Sequence, residues 1–226
     1  MFEYLSGIFT PATLKALWNG TLVTITVTLI SGSVGLVLGL IAALGRMSRY
    51  KILNLLAGAY IEFFRGTPLL VQLFIIYFGL PSIPFLDPLP AFWAGTIGLI
   101  LYVGAYNAEI IRGAFLAIGY GQSEAARSLG LTPFETYRYV LIPQALRIAL
   151  PSLGNQFISL IKDSTLVSVI TVNELLLTGR NIISRTYQPM TVYLAIAFIY
   201  LILSNLTALA VRQMERVQNR PYVKTR

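Results

Sequence analysis

Two stretches of the sequence are long enough to cross a lipid bilayer and contain no charged residue. Residues 16–45 and residues 191–211 are uncharged and mostly apolar. A helix of about 20 apolar residues spans the hydrocarbon core of a bilayer. Because no water reaches that core, backbone amides must bond within the protein, which favours helices. Charged residues make up 12% of the chain, about half the share typical of soluble domains. The sequence therefore predicts an all-α, polytopic membrane protein.

Three further apolar segments complete a predicted set of five transmembrane helices in one membrane domain, residues 1–226. We expect residues 173–190 to form a polar loop. The first span carries Gly32, Gly35 and Gly39 on one face, a pattern typical of helix packing in membranes. The predicted spans are residues 19–45, 52–80, 91–116, 148–171 and 190–212.

The basic residues indicate how the spans are oriented. Twelve of the 17 Lys and Arg residues fall at 46–51, 112–147 and 212–226. Short loops rich in Lys and Arg stay in the cytoplasm, so we expect the N-terminus outside and the C-terminus inside. The loop at 117–147 is then cytoplasmic. The formal net charge of +8 follows from this topology, and we expect no nucleic-acid partner.

The absence of certain residue types argues against several kinds of chemistry. The chain has no Cys and no His, which removes thiolate sites and the commonest general base and metal ligand. The carboxylates are scattered over different spans, so we expect no metal site. The sequence contains no Gly-Lys pair, and hence no phosphate-binding loop of the usual kind. We therefore expect that this chain is not an enzyme and that any ATP hydrolysis comes from a separate subunit.

Charged groups inside the predicted spans mark candidate sites, because each costs at least about 2.5–3.5 kcal/mol in lipid. Glu62 and Arg65 are three residues apart and share a helix face. Two interpretations are open for them: an internal ion pair, or a pair that lines the path of a charged substrate. On the third span, Asn107 is a further candidate, and Glu109 is placed to pair with Arg112.

The fourth span carries a stripe of polar side chains whose spacing is typical of one helix face. Lipid cannot satisfy these groups, so we expect the stripe to line a substrate path or to bond with another helix. The Lys162–Asp163 step is also a candidate for a local break of the helix, a feature that builds substrate sites in transporters. The candidates here are Ser152, Asn155, Gln156, Ser159, Lys162, Asp163, Ser164 and Thr165.

A polar segment at residues 124–143 separates the third span from the fourth. Gly130 and Pro133 divide it into two predicted short helices, because glycine permits a sharp turn and proline starts a helix well. Thr132 fits the N-cap of the second helix and Glu135 its third position, as in a capping box. The alanine-rich first helix has a smooth face that suits close docking.

The spacing in this segment closely resembles the EAA loop of bacterial ABC importer permeases, where two short coupling helices fit a groove on an ATP-binding subunit. Residues 62–70, 106–113 and 162–166 are similar to the polar amino acid subgroup of these permeases. That subgroup usually has Lys-Asp-Thr-Ser where this chain has Lys-Asp-Ser-Thr, and both hydroxyls are kept. The coupling positions that carry the resemblance are Glu124, Ala125, Ala126, Gly130 and Pro143.

The resemblance implies a MetI-like permease fold in the bacterial inner (plasma) membrane. It also implies two ATP-binding cassette subunits, which would hold the ATP and Mg, and an extracytoplasmic amino-acid-binding protein. A second permease copy is expected as well, with a homodimer favoured and a related heterodimer as the alternative. This chain itself would bind no cofactor.

The expected function is import of polar, and somewhat preferentially basic, amino acids by ATP-driven alternating access. The preference rests on the carboxylates of Glu62 and Asp163. When one of them binds the ammonium group of the substrate, the other is free to bind a cationic side chain. The alternative is a gradient-driven secondary transporter or channel without an ATPase. Co-purification of a stoichiometric ATPase subunit distinguishes the two.

Overall fold

The computed structural model describes residues 8–84 and 87–218, and every regular element in these ranges is helical. The ends of the predicted domain, residues 1–7 and 219–226, lie outside the described residues. The helices are α1 (Pro11–Arg46), α2 (Lys51–Gly66), α3 (Leu69–Phe74), α4 (Ala91–Leu116), α5 (Tyr120–Ser128), α6 (Pro133–Glu135), α7 (Ile142–Asp163), α8 (Leu175–Thr186) and α9 (Pro189–Gln218). The tighter or wider turns between them are the π-helices Ile75–Gly79 and Thr136–Leu141 and the 3-10 helices Leu80–Ser82 and Ser164–Ile170.

Within these ranges, α1, α4 and α9 are each long and apolar enough to cross a membrane, and two bent helix pairs raise the number to as many as five. One pair joins α2 to residues 69–82 at an angle of 107°, and the other joins residues 133–170 to α8 at 54°. The predicted single span at 52–80 is therefore bent. The reason is local, because Thr67 and Pro68 are extended and a residue before proline avoids the helical conformation.

The first and fourth helices pack through small residues at the centre of the molecule. A side chain at Gly35 would lie 2.3 Å from Val103, and one at Gly39 would lie 2.6 Å from Asn107. Gly32 faces Phe157 of α7 at a similarly short distance. The glycine face predicted from the sequence is thus confirmed as a packing surface, and it lets α4 become the helix on which α1, α2 and α7 converge.

The prediction of a polar loop at residues 173–190 is wrong, because this stretch contains the 12-residue helix α8. Its N-cap is Glu174, a fully buried residue whose carboxylate accepts hydrogen bonds from the backbone N–H groups of Leu176 and Leu177 at 2.9 and 2.8 Å. The hydroxyl of Tyr200 on α9 donates to the same carboxylate at 2.9 Å. A carboxylate at a helix start satisfies free N–H groups, so one residue both starts α8 and ties it to α9.

Candidate functional site

Charged groups from α2 and α4 meet around the carboxylate of Glu109. Arg112 donates to it from two nitrogens, at 2.9 and 2.8 Å. The guanidinium of Arg65 lies 3.6 Å from the same carboxylate. The sequence prediction that Glu109 pairs with Arg112 is thus confirmed, and Arg65 joins them from a different helix. Because two arginines share one carboxylate, the cluster keeps a net positive charge.

Two tyrosines on α4 extend this cluster toward α7. The guanidinium carbon of Arg65 lies 5.4 Å from the ring centre of Tyr106, a distance at which a cation is attracted to an aromatic face. The ring of Tyr102 lies next to that of Tyr106, with centres 4.7 Å apart. The Tyr102 hydroxyl is in turn within electrostatic range of the Asp163 carboxylate. A row of polar and aromatic groups therefore runs from α2 along α4 toward Asp163 of α7.

The predicted stripe lies on the part of α7 that is open to the surroundings of the single chain. Asn155 and Lys162 are exposed, and Gln156, Ser159 and Asp163 are partly buried. Amide, hydroxyl and charged groups in this position on a membrane helix need water or protein partners, because lipid offers none. The face is suited to line an aqueous path or an interface with another protein.

The helix carrying this stripe changes its winding at the predicted break. The α-helical part of α7 ends at Asp163, and residues Ser164–Ile170 continue as a 3-10 helix. The hydroxyls of Ser164 and Thr165 each donate to a carbonyl three residues back, at 2.7 Å. Carbonyls at the end of an α-helix lack helical partners, so the two hydroxyls stabilise the change of winding.

Glu62 and Asn107 lie apart from this row. No ion pair joins Glu62 to Arg65 in the described part of the chain, because Arg65 faces Glu109 instead. The exposed Glu62 borders a separate cavity with Arg46, Arg49 and Lys51. Asn107 is only 5% exposed, lies against Gly39 and borders a small cavity of about 60 Å³. Of the candidates on α2 and α4, Arg65 and Glu109 are brought into the row.

The position of Arg65 depends on the sharp bend that follows it. Gln72, which is 2% exposed, donates from its side-chain nitrogen to the carbonyls of Phe64 and Thr67, at 2.9 and 3.0 Å. The same nitrogen lies 2.8 Å from the Thr67 hydroxyl. Gln72 thus provides hydrogen bonds to backbone groups that the helices on either side of the bend leave unpaired.

The polar segment at residues 124–143 is folded as its turn signals predict. Gly130 has a φ of 79°, and the N–H groups of Gly130 and Leu131 bond back to Arg127 and Ala126 at 2.9 and 3.1 Å. This pair of bonds is a Schellman motif, which favours glycine at the left-handed position. Glu124 and Ala125 on α5 are exposed, whereas Ala126 is buried.

The capping box at the start of α6 is also confirmed. The Thr132 side chain accepts from the Glu135 N–H, and the Glu135 carboxylate accepts from the N–H and hydroxyl of Thr132, at 2.8 and 2.7 Å. These donors, the hydroxyl first, hold the pKa of Glu135 below its usual value of 4.5. The box therefore depends on an ionised carboxylate.

The second helix of the segment is longer than the sequence suggests. Two short helices are predicted, but the helix that starts at Pro133 runs on through a π-helical turn into α7, as far as Ile170. Pro143 lies just after the π-helical turn, where wider hydrogen bonding accommodates its missing N–H. No loop therefore lies between α6 and the polar stripe of α7.

Two apolar side chains of this segment extend away from the rest of the chain. Leu129 is 82% exposed and Phe134 is 76% exposed, on either side of the Gly130 turn. Side chains of this kind at a polar surface are typical of protein interfaces. Together with α5, they form the surface that we call the coupling surface.

Comparison with known proteins identifies the family. Residues 35–218 match the family described as the binding-protein-dependent transport system inner membrane component. The chain belongs to this family. The permease also resembles a crystal structure of an amino acid ABC transporter with histidines, with a TM-score of 0.85 and 42% identity over 90% of this chain and 94% of that one. An inward-facing methionine transporter MetNI has a TM-score of 0.77 at 24% identity, covering 94% of this chain and all of that chain, which shows the fold alone.

Its curated relatives are permease proteins of similar length. The L-cystine transport system permease protein TcyB of Bacillus subtilis is 42% identical over 91% of this chain and 88% of its own. The glutamine transport system permease protein GlnP of Escherichia coli is 41% identical over 88% of this chain and 90% of its own. The predicted MetI-like permease fold and the membership in the ABC importer permeases are thus confirmed. Such permeases are inner-membrane components and not themselves ATPases.

Some residues of the permease that build the site were missed in the sequence. Tyr102 and Tyr106 lie seven and three positions before Glu109, so helical spacing could have placed them on one face with it. Gln72 gave no such signal, because its acceptors are backbone carbonyls. Gln144 donates to Gln122 of α5 at 3.2 Å and to the Val140 carbonyl at 2.9 Å. No signal in the sequence indicates these contacts either.

Proposed function

We propose that this permease moves polar amino acids into the cytoplasm by ATP-driven alternating access. The observation that carries the proposal is the continuous helix from the coupling surface to the polar stripe of α7. The relatives TcyB and GlnP support an amino acid substrate by their names. The proposed orientation in the inner membrane has the N-terminus outside and the C-terminus and coupling surface in the cytoplasm, as the basic loops favour.

The proposed assembly contains two ATP-binding cassette subunits, an extracytoplasmic amino-acid-binding protein and a second permease chain. The whole chain, residues 1–226, would act as one membrane domain, and ATP and Mg would be held by the ATPase subunits. A second copy of this chain is favoured over a related partner. The stripe of Asn155, Gln156 and Ser159 supports a paired permease, because facing stripes of two chains would cover each other and enclose a polar path.

The coupling step follows from helix continuity. The ATPase subunits would hold Glu124, Ala125 and the side chains beside Gly130, and their closure would displace α5 and α6. The buried Ala126 would pack α5 against the permease itself. Because the helix has no loop between Pro133 and Asp163, the displacement would reach the stripe directly. The contact from Gln144 to Gln122 would keep α5 moving with α7.

The substrate site would use the row from Arg65 to Asp163. A free amino acid carries an ammonium and a carboxylate, so its site must offer both signs. Asp163 would bind the ammonium, and Arg65 or Lys162 the carboxylate, with Ser164 and Thr165 shaping the adjacent helix end. Glu62 lies apart from this row, beside a separate cavity, so it would meet a cationic side chain elsewhere on the path. The proposed preference for basic amino acids rests on that second acidic position.

The coupling claim is tested by removing the exposed apolar side chains. Leu129→Ala and Phe134→Ala lie on a surface that the permease alone does not bury, so the variants should fold normally. They should lose most of the co-purifying ATPase subunit. The matched control is Met190→Ala, whose side chain is 71% exposed at the start of α9. Full ATPase retention by both test variants would contradict the docking role. Transport by the permease without an ATPase would support the alternative function, a gradient-driven secondary transporter.

The substrate claim is tested by uptake in proteoliposomes that contain the ATPase and the binding protein. Asp163→Asn and Glu62→Gln, made singly, should reduce uptake while the complex stays assembled. Arg65→Gln should reduce it as well, because Glu109 would keep Arg112 but the substrate carboxylate would lose a partner. Normal uptake by all three variants would remove this site assignment.

A further inference from the structure

The loop between α1 and α2 borders a cavity of about 480 Å³ that does not include Arg65 or Glu109. Its α2 residues recur three and four positions apart, so the cavity follows one face of that helix. Ligand sites commonly enclose about 300–1,000 Å³, and this cavity is of that size. The polar residues around it are Arg46, Ser48, Arg49, Lys51, Asn54 and Glu62.

The cavity has an excess of positive charge. Three cations border it, against the single carboxylate of Glu62. Within residues 8–84 and 87–218, none of Arg46, Arg49 and Lys51 forms an ion pair with a carboxylate. Unneutralised cations around one cavity are complementary to a phosphate group, which arginine in particular binds well.

One of these cations is held in place by its neighbours. Arg46 donates to the side-chain oxygen of Asn54, and the Asn54 amide donates to the Arg46 carbonyl. The guanidinium lies against Gly58, 3.4 Å from the point where a side chain would begin. An arginine carries five N–H donors, and the contact with Asn54 leaves others for a ligand. The site is therefore partly organised before anything binds.

The surroundings of the cavity are those of a membrane surface. It lies where α1 ends and α2 begins, and apolar side chains beside it are open to the outside: Leu44 is 54%, Ile52 73% and Leu55 73% exposed. Tyr50 is 60% exposed, and the Arg49 guanidinium lies 5.3 Å from its ring. Exposed tyrosines are typical of the boundary between hydrocarbon and headgroups.

We infer that this cavity binds the phosphodiester headgroup of an anionic phospholipid. Basic pockets between membrane helices recognise such headgroups. The phosphate would lie among Arg46, Arg49 and Lys51, and the acyl chains would lie along the exposed apolar side chains of α1 and α2. Those apolar side chains favour a lipid over a soluble phosphate, because a soluble anion gains nothing from them.

The inference is tested by counting bound lipids on the assembled, delipidated transporter by native mass spectrometry. Phosphatidylglycerol should bind, and phosphatidylcholine, which has no net charge, should bind far less. The double variant Arg49→Gln with Lys51→Gln should weaken phosphatidylglycerol binding about 25-fold, since each cation near an anionic headgroup contributes about fivefold. Arg46 is kept, because it also holds the start of α2. Glu62→Gln should strengthen binding, since it removes the carboxylate that opposes the phosphate.

The matched control is Arg212→Gln with Arg216→Gln, which removes the same charge from two exposed positions on α9. This control should bind phosphatidylglycerol like the parent. The lipid site would be overturned by unchanged binding in the Arg49 and Lys51 variant, or by equal weakening in the control. Competition by millimolar inorganic phosphate would instead assign the cavity to a soluble anion, and loss of the ATPase subunit would assign it to a protein contact. No arm of the test depends on transport.

Discussion

Gln72 holds the bend between α2 and α3, so its replacement tests whether the bend positions the candidate site. Gln72→Met keeps the length of the side chain and removes its donor. The side-chain nitrogen has two hydrogens shared among three acceptors, the Phe64 and Thr67 carbonyls and the Thr67 hydroxyl. The variant therefore loses the equivalent of two hydrogen bonds.

The expected cost is about 2 kcal/mol in the free energy of unfolding. Two lost hydrogen bonds contribute about 1 kcal/mol each, and the half-buried carbonyls that they leave unpaired add about 1 kcal/mol more. Methionine also removes the buried side-chain oxygen of Gln72, which has no partner in the described residues. Removing this unpaired group recovers about 1 kcal/mol of the loss. Gln72→Glu should cost more than Gln72→Met, because it places an acceptor against two carbonyls.

The measurements are unfolding by a denaturing detergent and amino acid uptake in proteoliposomes. Uptake should fall in Gln72→Met, because a looser bend no longer directs Arg65 at Glu109. Gln213→Met is the matched control, since Gln213 lies exposed on α9, and it should behave like the parent. The reasoning is refuted if Gln72→Met unfolds and transports as the parent does.

Three further outcomes concern close packing, a turn and a capping box. Gly39→Ala should destabilise the permease by about 1–3 kcal/mol, because the added carbon would lie 2.6 Å from α4; unfolding measures it. Gly130→Ala should speed proteolysis of the coupling surface, since a left-handed residue other than glycine costs about 1–2 kcal/mol. Folding lowers the pKa of Glu135. The stability that its ionised carboxylate gives to the capping box is therefore complete above pH 4.5, and it is lost as the pH falls through the folded-state pKa. The protection factors of the amides at the start of α6, which compare the exchange rate with that of an unfolded chain at the same pH, should therefore fall in acid, and Thr132→Ala should remove that fall.

Controls for these outcomes come from the same chain. Gly113→Ala should be neutral or slightly stabilising, because no atom lies within 4 Å of the new carbon and alanine favours a helix. If Gly113→Ala destabilises as much as Gly39→Ala, the cost is a general effect on helices and not a packing effect. An unchanged cleavage rate in Gly130→Ala would contradict the turn argument. Protection factors at the start of α6 that stay constant with pH in the parent would contradict the capping argument.

Local features were predictable because they depend on neighbours in the sequence. The capping box of Thr132 and Glu135 and the turn at Gly130 each involve residues within five positions of one another. The residue types at these positions are enough to predict both features. The glycine face of α1 was predictable too, since its spacing marks a surface for packing. Helix α8 was missed because its start depends on a contact that is distant in the sequence. The carboxylate of Glu174, which caps α8, accepts a hydrogen bond from Tyr200 on α9.

The candidate site was only partly predictable for the same reason. The spacing of Glu62 and Arg65 is equally consistent with an ion pair and with two separate roles, and nothing local decides which. Helix α4 supplies Glu109 as the partner of Arg65, and Glu62 is left beside other cations. The bend that follows Arg65 is indicated in the sequence by Pro68, but the buried Gln72 that stabilises this bend is not.

By itself, the sequence determined the all-helical class, the long apolar helices α1, α4 and α9, and the turn and capping box of the segment at 124–143, because long apolar runs and short-range spacing are properties of contiguous residues. Only the tertiary structure decided which charges meet, how far the helix from Pro133 continues, and that Arg46, Arg49 and Lys51 surround one cavity. These depend on the direction in which side chains of separate helices point. That direction is set by the packing of α1 and α2 against α4, where glycines bring backbones together and fix the rotation of each helix.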